Sequence, residues 1–453
     1  MIIRECRGLA LSAGSAASAA AHDAAVRQFN TYVGDPVATI DAALAEDPEF
    51  VSGLVLRGHM TVALWEASVL PDLRATLDRL RALEGKATER ERAHAAALST
   101  WAEGDWEGYR ARLDRLLVDH PRDLLALQIG HLSDFFHGDR DALRGRIARA
   151  LPAWDRETPG YGFVLGMLAF GEEECADYRR AEETGRLAIA HEEDDAWAQH
   201  AVAHVMEMQG RVAEGVAWMR AREAHWAQEG NAFSFHNWWH TALYHLDLGE
   251  TDRVLELYDT AIRPADGRFH LEMLDAAALL WRLTLLGHDV GGRWARLADT
   301  YAEVGGAGFY AFNDMHALMA FVGSGRPEAA HAWRRVAEAT VEGAAGAGGT
   351  SAAMMREVGL PVLAAIEAFG AGDWETVIDR LMAVRYRAHR FGGSHAQRDI
   401  LHRTLIEAAL RAGRRPLAEA LLAERLEVKP GCLFAGRQLA RARSLPEAGR
   451  AAA

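Results

Sequence analysis

One pattern recurs along the 453-residue chain and limits its fold more than any other feature. An apolar, aromatic helix is followed by a short turn holding glycine, then by a charged helix rich in Ala, Glu and Arg. The turns fall at Gly104, Gly138, Asp177, Gly210, Gly249, Gly287, Gly325, Gly372 and Gly413, with spacings of 34, 39, 33, 39, 38, 38, 47 and 41 residues. Glycine supplies the left-handed residue that ends the first helix, and Asp, Arg or Glu then opens the second, as in EGDWEGY (103–109), LGETDRV (248–254) and AGDWETV (371–377). Two-helix repeats of this length are too small to hold a core alone and bury one by stacking. The expectation is an all-α fold: an α-α superhelix, a tetratricopeptide-like solenoid of roughly eight to ten helix pairs, right-handed, without a significant sheet. Residues 1–453 form a single structural unit in this reading, with a soft loop only at Glu342 to Thr350.

Composition enters where it excludes function classes. The formal net charge is -14, a field that repels phosphate backbones and anionic lipid, so neither nucleic acid nor a membrane is expected as partner. Three widely spaced thiols, Cys6, Cys175 and Cys432, cannot build a disulfide framework or a cysteine-based zinc site, and a cytoplasmic location is the natural reading. No apolar run reaches the length of a membrane span. Arg4 and Arg7 precede a small-residue stretch, Gly8 to Ala21, that lacks a leucine-rich core. It reads as a helix start, not a signal peptide.

In such arrays the first helices line the concave face, and here they carry the unusual residues. His200, His204 and Glu207 stand at i, i+4 and i+7, within about 40° of one another on one helical face. His236 and His240 repeat the i, i+4 spacing 36 residues later, one repeat on. Neighbouring helices pack about 8–10 Å apart, so the two stripes can face one another. Paired imidazoles at that spacing are the usual helical clip for zinc or iron. His200, His204, His236 and His240 are therefore candidate ligands of a divalent metal, with Glu207 as a carboxylate ligand or general base. Set against this, 20 histidines make chance spacings common, and a structural network through Asn237, Gln199 and Glu207 is the bland alternative. His-Glu-x-x-His is absent, so the metalloprotease motif does not apply.

Further candidates lie on other first helices. Asp314 and His316, in FNDMH, stand about 200° apart on a helix, so Asp314 is expected as an N-cap ahead of a catalytic role. His131 reads as a packed histidine. Gly392 and Gly393 lead into a helix start whose free N–H groups, with Gln397 and Arg398, could hold an anion. A plain loop capped by Ser394 is the competing reading, and it is slightly favoured. Trp197, Trp238, Trp239, Trp281 and Trp294 either fill the core or wall a pocket beside the histidines.

DAWAQHAVAHVMEMQGR (195–211), HNWWHTALYHLDLGE (236–250), LYDTAI (257–262), FNDMHALMA (312–320), REVGLPV (356–362) and GGSHAQRDI (392–400) together resemble the tetratricopeptide repeat protein 38 family. The likeness spans essentially the whole chain, from RGLALS (7–12) to ALLAERLEVKPG (420–431). It implies a cytosolic, all-helical repeat protein and no settled activity. The matching motif residues include His200, His204, Glu207, His236, Asn237, His240, Asn313, Asp314, His316, Gln397, Arg398 and Asp399, while His395 departs from the familiar asparagine. Two function classes stay open. One is a His/Glu/Asp-lined pocket that binds or transforms a small polar ligand, by acid–base or metal-assisted hydrolase or lyase chemistry. The other is a scaffold gripping a peptide in the groove. A closed cavity lined by the four histidines separates the first from the second.

Overall fold

The computed structural model describes residues 3–343 and 349–446. It holds 25 α-helical segments among the described residues, and its one ladder pairs two residues on each side. The fold is all-α. All eight expected turn glycines have positive φ, and at the ninth turn Ala176 takes that conformation just before Asp177. Asp105, Asp139 and Asp373 then cap the following helices through their side chains, whereas Glu250 and Arg414 occupy the same position without a side-chain cap.

There are more helices than eight to ten pairs would give. The additional turns include Tyr32 and Trp65, whose φ values of 61° and 54° are left-handed without glycine. The N-terminus also differs from a simple helix start. Ile3–Arg4 pairs antiparallel with Ala10–Leu11 around Gly8, and the first helix begins at Ala16, capped by the Ser15 side chain. Of the expected loop, Ala344 to Gly348 lies outside the described residues; the flanking helices end at Gly343 and begin at Thr350. No described helix is long and apolar enough to cross a membrane.

The chain divides into two compact units, residues 1–202 with 222–234, and 203–221 with 235–453. In each, the first helix of a pair is buried almost all round and the second on one face. In the first unit Leu124–Phe136 is buried along nearly its whole length, while Arg140–Ala150 buries Leu143, Arg146, Ile147 and Ala150. In the second, His270–Leu285 contrasts in the same way with Arg293–Val304. A helix apolar on all sides is stable only when sandwiched, and that is the place these helices take.

The second unit closes on itself. The helix His395–Arg411 packs against His270–Leu285, where Trp281 Nε1–H donates to Thr404 Oγ1 at 3.0 Å and Arg282 donates to the Ala396 carbonyl at 2.7 Å. Arg403 reaches Asp247 at 3.4 Å. The last repeat is pinned to the turn after Met208, because Gly210 lies against the Gly431 backbone so closely that a Cβ there would meet it at 2.8 Å. Only glycine fits at Gly210, on both φ and space.

Candidate functional site

The second unit gathers His204, Glu207, His236 and His240 on two first helices, Ala196–Met208 and Ser234–Leu248. All four side chains are buried. The His204 and His240 rings lie 4.5 Å apart between centroids, and those of His236 and His240 lie 4.9 Å apart. One ring nitrogen from each of the three histidines falls within 4.8 Å of the other two.

Two carboxylates orient the pair on the second helix. His236 Nδ1 meets Asp275 Oδ2 at 2.7 Å, and His240 Nδ1 meets Glu207 Oε2 at 3.1 Å. Carboxylates accept, so each Nδ1 is the donor in its contact, and a neutral imidazole held this way presents a lone pair at Nε2. The two Nε2 atoms face each other at 3.3 Å. Burial, with His204, His236 and Arg282 beside it, holds His240 well below the usual imidazole range, so it is neutral. The line Glu207–His240–His236–Asp275 contains three contacts and needs three protons; two neutral imidazoles would bring two, and a third proton or a metal ion between the Nε2 atoms completes it.

Aromatic and cationic groups enclose this line. Trp239 stacks on His236 with centroids 5.4 Å apart and turns its edge to His240 at 4.8 Å. The Arg282 guanidinium sits 5.1 Å from the Trp239 ring centre. Arg282 is 1% exposed and donates to the carbonyls of Ala278 and Ala396. Burial lowers it to about 10, which leaves it a cation at neutral pH. Asn237 is fully buried, and neither end of its amide makes a hydrogen bond among the described residues; the same holds for Trp239 Nε1.

His200 shares the Ala196–Met208 helix with His204, one turn earlier, and is itself a residue of the first unit. There it stacks on Phe170 at 5.3 Å and meets Trp197 at 5.1 Å and Phe233 at 5.3 Å. Trp197 walls this aromatic cluster and donates to His131 Nε2 at 3.1 Å.

Asp314 is not the N-cap. Its helix starts at Ala311 behind Tyr310, and Asp314 accepts from the Gly308 backbone N–H at 3.0 Å and from Trp333 Nε1–H at 2.7 Å. It ties a loop and an outer helix to the inner one, and burial pushes it up to about 7. His316 points the other way, donating Nδ1–H to the Phe312 carbonyl at 2.8 Å, and its buried Nε2 makes no hydrogen bond among the described residues. Burial pushes it down to about 3. Gln397 forms a capping box with Ser394, and Arg398 donates to the carbonyls of Gly392 and Gly393. Both brace the helix start.

Sequence reasoning passed over Asp275 and Arg282. Each is a lone charged residue in an otherwise apolar first helix, in MLDAAALL and LLWRLTLL. A charge placed where the helix is buried all round is the signal that could have found them.

A cavity of about 190 Å³ opens beside the histidines in the same unit. Glu207, Met208, His395, Asp399, His402, Glu424, Arg425, Val428 and Lys429 line it, so Glu207 stands between His240 and this space.

No family model matches the chain. Among solved structures it is similar to the APC/C hetero-tetramer Cut9–Hcn1 (13% identity, TM-score 0.43, covering 90% of this chain and 72% of that one). It is also similar to the human IFIT1 dimer with PPP-AAAA (12% identity, TM-score 0.41, covering 94% and 100%). A third is yeast Tom70 (12% identity, TM-score 0.34, covering 95% and 87%). The fold assignment rests on the helix pairs themselves.

Proposed function

We propose that this helical-repeat protein holds a divalent transition metal on His204, His236 and His240 and presents it to a small polar ligand. The observation that carries the reading is the pair of Nε2 atoms facing each other at 3.3 Å, each imidazole held from behind by a carboxylate. Zinc–imidazole bonds of about 2.0–2.1 Å at a tetrahedral angle place two ligand nitrogens about 3.3–3.4 Å apart. A carboxylate on the far nitrogen is the usual support for a metal-bound histidine. A dication between the Nε2 atoms would stand on a line with a carboxylate at each end, Glu207 and Asp275. Three imidazoles leave one coordination position open, the arrangement of a reactive site. There the ion would polarise a ligand or activate water, with Glu207 placed as acid or base.

The resemblance to the tetratricopeptide repeat protein 38 family supports the reading only through the histidine motifs themselves. The net charge of -14 argues against nucleic acid as the ligand.

The test is elemental analysis of protein purified without an affinity tag, followed by zinc titration after chelation. About one equivalent per chain is expected, lost in His236→Ala and in His240→Ala. His200→Ala asks whether the ligand set extends one turn back along the same helix, as the spacing expects. Failure of chelated wild type to take up zinc, cobalt or iron at micromolar concentration would refute the metal.

A further inference from the structure

His204, His236 and His240 are all buried, so an ion in solution must cross protein to reach them. The cavity of about 190 Å³ in the same unit spans much of that distance. Its outer wall carries Val428, which is 60% exposed, and the partly exposed Glu424, so it opens to solvent there. Its inner wall carries Glu207 and Met208, the end of the helix Ala196–Met208. Glu207 is buried, accepts from His240 Nδ1, and follows His204 by three residues, about 4.5 Å of helix rise. The cavity thus runs from the surface to a residue one helical turn from His204.

Its lining suits a cation in transit. Three carboxylates, Glu207, Asp399 and Glu424, stand against two cations, Arg425 and Lys429. Both cations are already paired, Arg425 with Asp399 at 3.0 Å and Lys429 with Asp247 at 3.8 Å. Glu424 pairs with Arg385 at 3.0 Å. Glu207 has no Lys or Arg within ion-pair distance among the described residues; it meets His240 at 3.1 Å. His402 adds an imidazole to the wall. Burial, with Arg425 beside it, keeps His402 below its ordinary range and therefore neutral, and its Nε2 makes no hydrogen bond among the described residues. A neutral imidazole and a carboxylate without a fixed cation are groups for which a hydrated transition-metal ion exchanges its water.

We propose that this cavity is the passage by which the divalent ion enters and leaves the histidine site, with His402 and then Glu207 as the groups that carry it inward. Glu207 releases His240, takes the ion on its carboxylate and delivers it to the Nε2 atoms. Only metal–ligand bonds form and break. The inference rests on the metal reading and adds a route to it. A passage sets the barrier and not the end states, so obstructing it slows entry and exit by the same factor and leaves affinity alone.

The experiment is stopped-flow uptake of cobalt by the chelated, full-length protein, followed by the visible absorption of the bound ion, with release into excess chelator as the reverse. Val428→Trp fills the mouth of the cavity; uptake and release should each slow at least about tenfold, with the equilibrium affinity within about twofold of wild type. His402→Leu should slow both in the same way. Val336→Trp, at a similarly exposed residue of the same unit outside the cavity, should change neither. Wild-type rates in both Val428→Trp and His402→Leu would overturn the passage, and so would equal slowing in Val336→Trp. In either case an undiminished equivalent of bound metal leaves the histidine site standing. Absence of cobalt uptake by wild type at equilibrium would overturn the site and the passage together.

Discussion

Each unit contains a buried line of two histidines ending on a carboxylate, and the two lines differ by one hydrogen. In the first unit Tyr109 Oη–H donates to His59 Nδ1 at 3.0 Å, His59 Nε2–H donates to His94 Nδ1 at 2.9 Å, and His94 Nε2–H donates to Asp123 at 2.9 Å. Three contacts take three protons, and one from the phenol with one from each imidazole is enough. Asp123 stays ionised because Arg90 holds it at 2.6 Å. In the second unit a carboxylate replaces the phenol at the far end. Glu207 brings an acceptor where Tyr109 brings a donor, and the line closes when one further proton or a metal ion joins it. Similar residues in similar burial therefore give a line that a phenol closes in one place and a line with a carboxylate at each end in the other. Counting protons separates them where counting histidines does not.

The largest expected effect tests that contrast directly. His94→Ala breaks a complete line and leaves buried donors and acceptors unpaired, so it should cost about 3–5 kcal/mol. Zinc should not change that loss. In chelated protein His236→Ala relieves the contact between the two Nε2 atoms but strands the buried Asp275 carboxylate, so it should cost somewhat less than His94→Ala. It should also abolish any stabilisation by added zinc. Denaturant unfolding of both variants, with chelator and with zinc, reads this out. Equal losses under both conditions would make the second line structural too.

A smaller effect should come from the carboxylates. Asp275→Asn removes the group that orients His236 and should weaken metal binding about 10–100-fold. Asp123→Asn, at the matching place in the first unit, should leave metal affinity unchanged while lowering stability, since Arg90 loses its partner. Competition titrations against a chromophoric chelator measure the first, and thermal melting the second. A similar change in affinity in both variants would remove the distinction between the lines.

Much of the fold was legible because glycine marks the turns chemically: a left-handed residue after a helix is cheapest as glycine, and all eight expected positions adopt it. The turns at Tyr32 and Trp65 were silent because tertiary packing there holds a non-glycine residue in the same conformation. Trp65 sits against Phe136 at 4.5 Å, and that burial compensates its backbone cost. In the site, periodicity brought out His204, Glu207, His236 and His240, whose spacing is a helical signal. Asp275 and Arg282 have no periodic partner and become meaningful only when the third helix is placed beside the second. Asp314 misled for a related reason: in sequence, a cap and a residue three places inside a helix look alike.

Asp123 and Asp314 extend the comparison to single carboxylates. Both are buried. Arg90 and His94 outweigh burial at Asp123 and hold it well below the usual carboxylate range, so its contribution is present above the unfolded value and is lost only as pH falls through the folded one. Asp314 has two neutral donors, Gly308 N–H and Trp333 Nε1–H, and no cation bonded to it; burial wins and raises it to about 7. The folded protein therefore binds a proton there that the unfolded chain releases near 4, and stability contributed by this group falls as pH rises from about 4 to 7. Asp314→Asn removes that dependence while keeping an acceptor for both donors. The charge-assisted form of those bonds is already contained in the raised pKa, so the gain relative to wild type should be about 2–3 kcal/mol greater at pH 8.5 than at pH 5. Melting curves of the two proteins at both pH values decide it. A variant that loses more stability at pH 8.5 than at pH 5 would mean that Asp314 is stabilised as an anion, and its place as the uncompensated counterpart of Asp123 would be wrong.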